Sequence, residues 1–137
     1  MTILFVDDDV DEVFLFTEAV RRVDPSIVVS TALDGVEAIE LLTNATVKPD
    51  HIILDINMPR MGGMECLKTI RTELKLKTPI TIFSTTITPR HEALCLQYDA
   101  ECMTKPNSYV SLIELVKKKV QSIKKSSSEK STGAGNG

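Results

Sequence analysis

Along this chain, short apolar runs alternate with stretches in which apolar residues return every three or four positions. Ile3 to Val6, Ile52 to Leu54 and Ile80 to Phe83 are compact and mainly aliphatic, and each runs directly into polar residues. That pattern predicts strands buried on both faces of a parallel sheet. Ile27 to Leu33 is a further run rich in β-branched residues and Cys102 to Thr104 a weaker one, which brings the candidate strands to five. Between them lie helical patterns. Val13 and Val20 with Phe14 and Thr17 are predicted to share one helical face, as are Met64, Leu67, Ile70 and Leu74, and later Ile113, Val116, Val120 and Ile123.

Local punctuation agrees with these boundaries. Asp9, with Glu12 three residues on, predicts a helix N-terminus, Asp34-Gly35 a turn before the helix at Val36, and Thr88-Pro89 the opening of another helix. Alternation of strand and helix over this length predicts a doubly wound α/β domain, because parallel neighbours are joined by right-handed crossovers that place helices on both faces. From Lys124 the apolar pattern stops, and the Lys-, Ser- and Gly-rich remainder reads as a flexible tail, leaving residues 1–123 as the folded domain and 124–137 outside it.

Bulk composition narrows the function classes. A chain of 137 residues with 42% apolar content suits one core. Its net charge of −3 carries no basic footprint, so direct nucleic-acid binding is not expected. Setting aside Lys124, Lys125, Glu129 and Lys130 leaves 13 basic and 18 acidic side chains, a net of −5 that must sit somewhere on the fold. The apolar runs are strand-sized and no leader pattern precedes Thr2, so a cytoplasmic protein without membrane insertion is expected. Cys66, Cys95 and Cys102 are odd in number and lack metal-ligand spacing, which predicts buried free thiols.

Part of the acidity sits at strand ends. Asp7, Asp8 and Asp9 follow the first strand and Asp55 ends the third. In doubly wound sheets ligands collect at the carboxyl ends of the strands. If the first and third strands are neighbours, Asp7, Asp8 and Asp55 converge, and carboxylates held together require protons or a cation; oxygen donors favour Mg2+ or Ca2+. A single aspartate after a strand is more often a turn residue, but three in one place point to a metal site. The fourth strand ends in Ser84 and the fifth in Lys105. A hydroxyl, an ammonium and a cation beside a carboxylate nucleophile suit phosphoryl transfer, where both reactants are anionic.

In order, Asp7-Asp8, Ile53-Leu54-Asp55-Ile56-Asn57-Met58-Pro59-Arg60-Met61-Gly62-Gly63, Ser84 and Lys105-Pro106 resemble the receiver domain of bacterial two-component response regulators, from Thr2 to about Ile123. The resemblance implies a flavodoxin-like sheet in the order 2-1-3-4-5 and a stand-alone, chemotaxis-regulator-like domain. It implies that Asp55 is phosphorylated, that Asp7, Asp8, Asp55 and the backbone carbonyl of Asn57 hold Mg2+, that Ser84 is the switch hydroxyl and that Lys105 contacts the phosphoryl group. It further implies a cis Lys105-Pro106 bond. The implied donor is a histidine kinase or histidine phosphotransfer protein, and the implied reader a separate downstream protein or the next step of a relay.

Two positions depart from the family. Cys102 stands where an aromatic residue is common, and Asn107 where Phe is frequent. The output surface is therefore expected around Tyr98, Cys102 and Tyr109, with the change concentrated in the loops after Phe83 and before Asn107 and a weak response in the fifth helix. A binding module indifferent to phosphorylation is disfavoured by the complete set Asp7, Asp8, Asp55, Ser84 and Lys105. A turnover phosphatase would need a second aspartate two residues after Asp55, where Asn57 stands, so a stoichiometric acceptor rather than an enzyme is expected.

Overall fold

The computed structural model describes residues 1–136, and their side chains as far as Ser126. Five strands and five helices alternate: β1 (Thr2–Val6), α1 (Val10–Val23), β2 (Val28–Ala32), α2 (Gly35–Thr43), β3 (His51–Leu54), α3 (Gly63–Thr72), β4 (Ile80–Ser84), α4 (Pro89–Gln97), β5 (Glu101–Thr104) and α5 (Tyr109–Asn136). The strands form one parallel sheet in the order β2-β1-β3-β4-β5. This is the doubly wound order expected.

Successive strand residues face opposite layers, and that alternation divides the core in two. Leu4, Val6, Ile52, Leu54 and Ile82 pack under α2 and α3, with Cys95 of α4 in the same cluster. Ile3, Phe5, Ile53 and Phe83 pack under α1 and α5. Both faces are covered, which is why the central strands carry no polar alternation.

The helix starts follow the predicted punctuation. Asp9 accepts from the N–H groups of Asp11 and Glu12, Asp34 accepts from Glu37 N–H, and Thr88 forms a reciprocal cap with His91 ahead of Pro89. These acceptors satisfy amide donors that have no partner within the helix.

Two expectations are corrected. The buried stripe of α1 runs through Phe16, Ala19 and Val20, whereas Phe14 is 63% exposed. Phe16 stacks on Phe5 with ring centroids 4.1 Å apart, and a residue two positions away points about 200° round the helix. The last helix, α5, extends to Asn136. Its last core residue is nevertheless Ile123, where the apolar stripe ends. Cys102, finally, is only half buried, unlike Cys66 and Cys95.

Candidate functional site

Strand register brings the site together. Val6 pairs with Leu54 between β1 and β3, so Asp7 and Asp55 leave the sheet side by side, and Asp55 N–H donates to Val6 O at 3.0 Å. The sequence order reverses here, β1 having β2 on one side and β3 on the other, which makes this the switch point where such sheets bind ligands. Ser84 pairs with Thr104 between β4 and β5, and Lys105 N–H donates to Ser84 O at 2.8 Å. The next side chain, Lys105, thus emerges over the same edge.

Asp7, Asp8 and Asp55 each offer a carboxylate oxygen, all within 4.8 Å of one another. Asp7 is buried, Asp55 half buried and Asp8 exposed. One Asp7 oxygen accepts from Asp9 N–H at 2.9 Å and the other from the Lys105 ammonium at 3.0 Å. The ammonium also lies 3.1 Å from Asp55 and bonds Glu12.

Burial raises the proton affinity of Asp55, the Lys105 charge opposes that rise, and the Asp7 charge adds to it. Burial and a hydrogen bond with Asp7 push Glu12 up to about 7 against the pull of Lys105. For Lys105, burial disfavours the charge, but the hydrogen bonds to Glu12 and Asp7 and the charges of Asp7 and Asp55 outweigh it, so its pKa rises and the ammonium stays protonated.

The loop after Asp55 is clamped from two sides. Arg60, at φ 62°, makes a two-point ion pair with Asp34 at 2.8 and 3.1 Å, and holds that carboxyl below the usual carboxylate range. A side chain at Gly63 would place its Cβ 2.1 Å from the carbonyl oxygen of Asp55, so only glycine lets the start of α3 press against the acidic residue's own backbone. Ile56 is buried beneath the loop while Asn57 is exposed, with its backbone beside the cluster in sequence.

Ser84 is buried at the end of β4, and its hydroxyl oxygen accepts a long bond, 3.4 Å, from Thr86 N–H. Tyr98 caps the end of α4 and packs against the core, and Tyr109 opens α5 with the Arg22 guanidinium 5.6 Å above its ring. The Lys105-Pro106 bond is trans, as is every peptide bond among the described residues, which corrects the cis expectation. Trans is the intrinsically preferred isomer, and in it the ammonium already reaches Asp7, Asp55 and Glu12. Glu12 was hidden in the sequence: its spacing from Asp9 suggests a local cap partner, yet its carboxylate turns to Lys105.

The response regulator receiver domain matches residues 3–117. The chain belongs to that family. It is 40% identical over 88 residues, 64% of the chain, to the protein-glutamate methylesterase/protein-glutamine glutaminase 4 of Myxococcus xanthus, and covers 24% of that protein. It is 39% identical over 83 residues, 60% of the chain, to the transcriptional regulatory protein PrrA of Mycobacterium leprae, and covers 33% of it. The chain therefore spans a third or less of these relatives. Among solved structures, the phosphorylated cyanobacterial phytochrome response regulator RcpA superposes with a TM-score of 0.77 at 29% identity, over 85% of this chain and 88% of that one. The chemotaxis response regulator CheY4 of Vibrio cholerae gives 0.70 at 30% identity, over 89% and 97%.

Family membership implies a phosphoacceptor role, in a domain that is not itself an enzyme family. Receiver domains bind Mg2+ at an acidic cluster and interact with histidine kinases and downstream effectors. The converged oxygens of Asp7, Asp8 and Asp55 suit such a hard cation. Among the described residues, no helix is long and apolar enough to cross a membrane.

Proposed function

We propose that Asp55 accepts a phosphoryl group from a phosphohistidine on a histidine kinase or histidine phosphotransfer protein, in a Mg2+-dependent reaction. One observation carries this reading: Asp55 stands half buried at the switch point with an ammonium 3.1 Å away and two further carboxylates converging on it. An Asp55 oxygen attacks phosphorus, a P–O bond forms, the P–N bond to the donor imidazole breaks, and the imidazole retains the electron pair and takes a proton. Asp7, Asp8, Asp55 and the carbonyl of Asn57 would hold the cation, which offsets anionic charge on the transferring group.

Lys105 neutralises the acceptor before transfer and contacts a phosphoryl oxygen after it. Ser84 donates a hydrogen bond to another, since its contact with Thr86 N–H uses the hydroxyl oxygen only as an acceptor. Phosphorylated and free forms then differ in the β4–α4 loop, a difference read by a separate protein or used in a relay. Val10, Phe14 and Leu15 on α1 and Val110 on α5 are apolar and exposed, and support docking of a partner beside the cluster. We place the domain in the cytoplasm with such donors.

Incubation with acetyl phosphate and Mg2+, followed by intact-mass measurement, tests the reading. One phosphoryl group should add to the wild-type chain, none when the cation is chelated, and none to Asp55→Asn. Equal labelling of Asp55→Asn would overturn it.

A further inference from the structure

Cys95 and Cys102 lie seven residues apart on either side of the turn joining α4 to β5, and their Sγ atoms are 2.6 Å from each other. No other pair of thiols is so placed among the described residues: Cys66 lies on α3 and directs its thiol to Gly35 O. The turn between them is held from several sides. Ala100 N–H donates to Cys95 O at 2.8 Å, and Arg71 donates to the carbonyls of Tyr98 and Asp99 at 2.8 and 2.9 Å. On the far side, Cys102 is fixed by its sheet pairing with Ile82. The two sulfurs are therefore presented to each other by braced backbone, little more than half an ångström beyond a bond length of about 2.05 Å.

We propose that Cys95 and Cys102 are a reversible dithiol–disulfide site, oxidised by a low-molecular-weight disulfide such as glutathione disulfide, and that the bridge clamps α4 onto β5. The half-buried Cys102 thiolate attacks one sulfur of the oxidant, displacing one thiol and leaving a mixed disulfide. Cys95 then attacks the Cys102 sulfur, displacing the second thiol and closing the bridge. Two protein thiols lose two electrons and two protons; the oxidant gains both and leaves as two thiols. Cys102 is the more exposed of the two thiols, which assigns the first attack to it, and burial with the Cys102 hydrogen bond pushes the Cys95 thiol up to about 12.

The clamp matters because α4 is thinly anchored. Cys95 is its one fully buried residue, and Leu96 beside it is 85% exposed. An element with so little buried apolar surface opens locally at low cost. A covalent bond at its single anchor makes that opening far less accessible. Neither oxidation nor the clamp depends on phosphorylation of Asp55.

The full chain should be equilibrated with excess glutathione disulfide, quenched, denatured and alkylated with iodoacetamide. We expect one alkylated cysteine, Cys66, in place of the three of the reduced chain, with cleavage before Asp99 leaving two peptides joined until reductant is added. Three alkylated cysteines, a mixed disulfide stable on Cys102, or a bridge to Cys66 would overturn the site. Cys102→Ser, which changes the half-buried partner and so leaves the core intact, should show no bridge. Hydrogen exchange of the oxidised and reduced chains reads the clamp: amides from Glu92 to Tyr98 should exchange more slowly when oxidised, and equal exchange would overturn it.

Discussion

With its ammonium 3.0 Å from Asp7 and 3.1 Å from Asp55, Lys105 draws on two of the carboxylates that would hold a divalent cation. Removing one member of a buried charge pair leaves the other uncompensated, at a cost of about 3 kcal/mol. Lys105→Met should therefore be destabilised by roughly that amount without divalent cation, and Mg2+ should restore more stability to the variant than it adds to the wild type. Urea unfolding with and without Mg2+ checks this; an equal loss in both conditions would show that Lys105 and the cation do not share ligands. Asp7, Asp8, Asp55, Ser84 and Lys105 were legible because each stands where an apolar strand run stops. Glu12 was not, since a carboxylate three residues after an N-cap has a sufficient local explanation, and only the fold brings it across to Lys105.

The helices differ in how firmly they are held. α5 buries Val116, Val120 and Ile123 against the sheet, whereas α4 buries Cys95 alone. A phosphoryl group on Asp55 shifts the protein only by as much as it favours one state over another, and the element with least to lose by moving responds first. Addition of beryllofluoride, a phosphoryl mimic, should change amide chemical shifts most from Thr85 to Tyr98 and weakly across α5. Large uniform changes from Tyr109 to Val120 would contradict this account. The absence of an aromatic ring at Cys102 points the same way, because a half-buried thiol has little bulk to transmit. The strands and their order were readable because aliphatic runs with no polar alternation require two covered faces. The stripe of α1 is not decided by pattern at Phe14, since Phe14 and Phe16 both belong to apolar patterns and only stacking on Phe5 decides between them. The Lys105-Pro106 bond takes the isomer that the chain prefers intrinsically, so the cis expectation came from the resemblance and not from local pattern.

Over the whole molecule, two groups give opposed pH dependences. His51 is buried, bonded to Thr81 Oγ1 at 2.7 Å, and burial with the nearby Lys119 charge lowers its pKa from 6.5 to about 4. Its contribution is fully present above pH 6.5 and is lost as pH falls toward 4, because the unfolded chain takes the proton first. Glu12 is raised from 4.5 to about 7, so its contribution is present below pH 4.5 and is lost as pH rises through 7. Thermal unfolding at pH 4.5 and 7 should show His51→Gln losing less stability on acidification than the wild type, and Glu12→Gln losing less on the return to neutral pH. Identical profiles for all three chains would mean that neither group is perturbed by folding. The central claim is that one carboxylate, Asp55, takes the phosphoryl group. Its most direct test is borohydride reduction of the chain after acetyl phosphate and Mg2+, followed by peptide mapping, because hydride converts an aspartyl phosphate to homoserine. Homoserine at position 55 and nowhere else is the predicted result; homoserine at position 7 or 8, or phosphate on a serine or threonine with Asp55 unmodified, would contradict it.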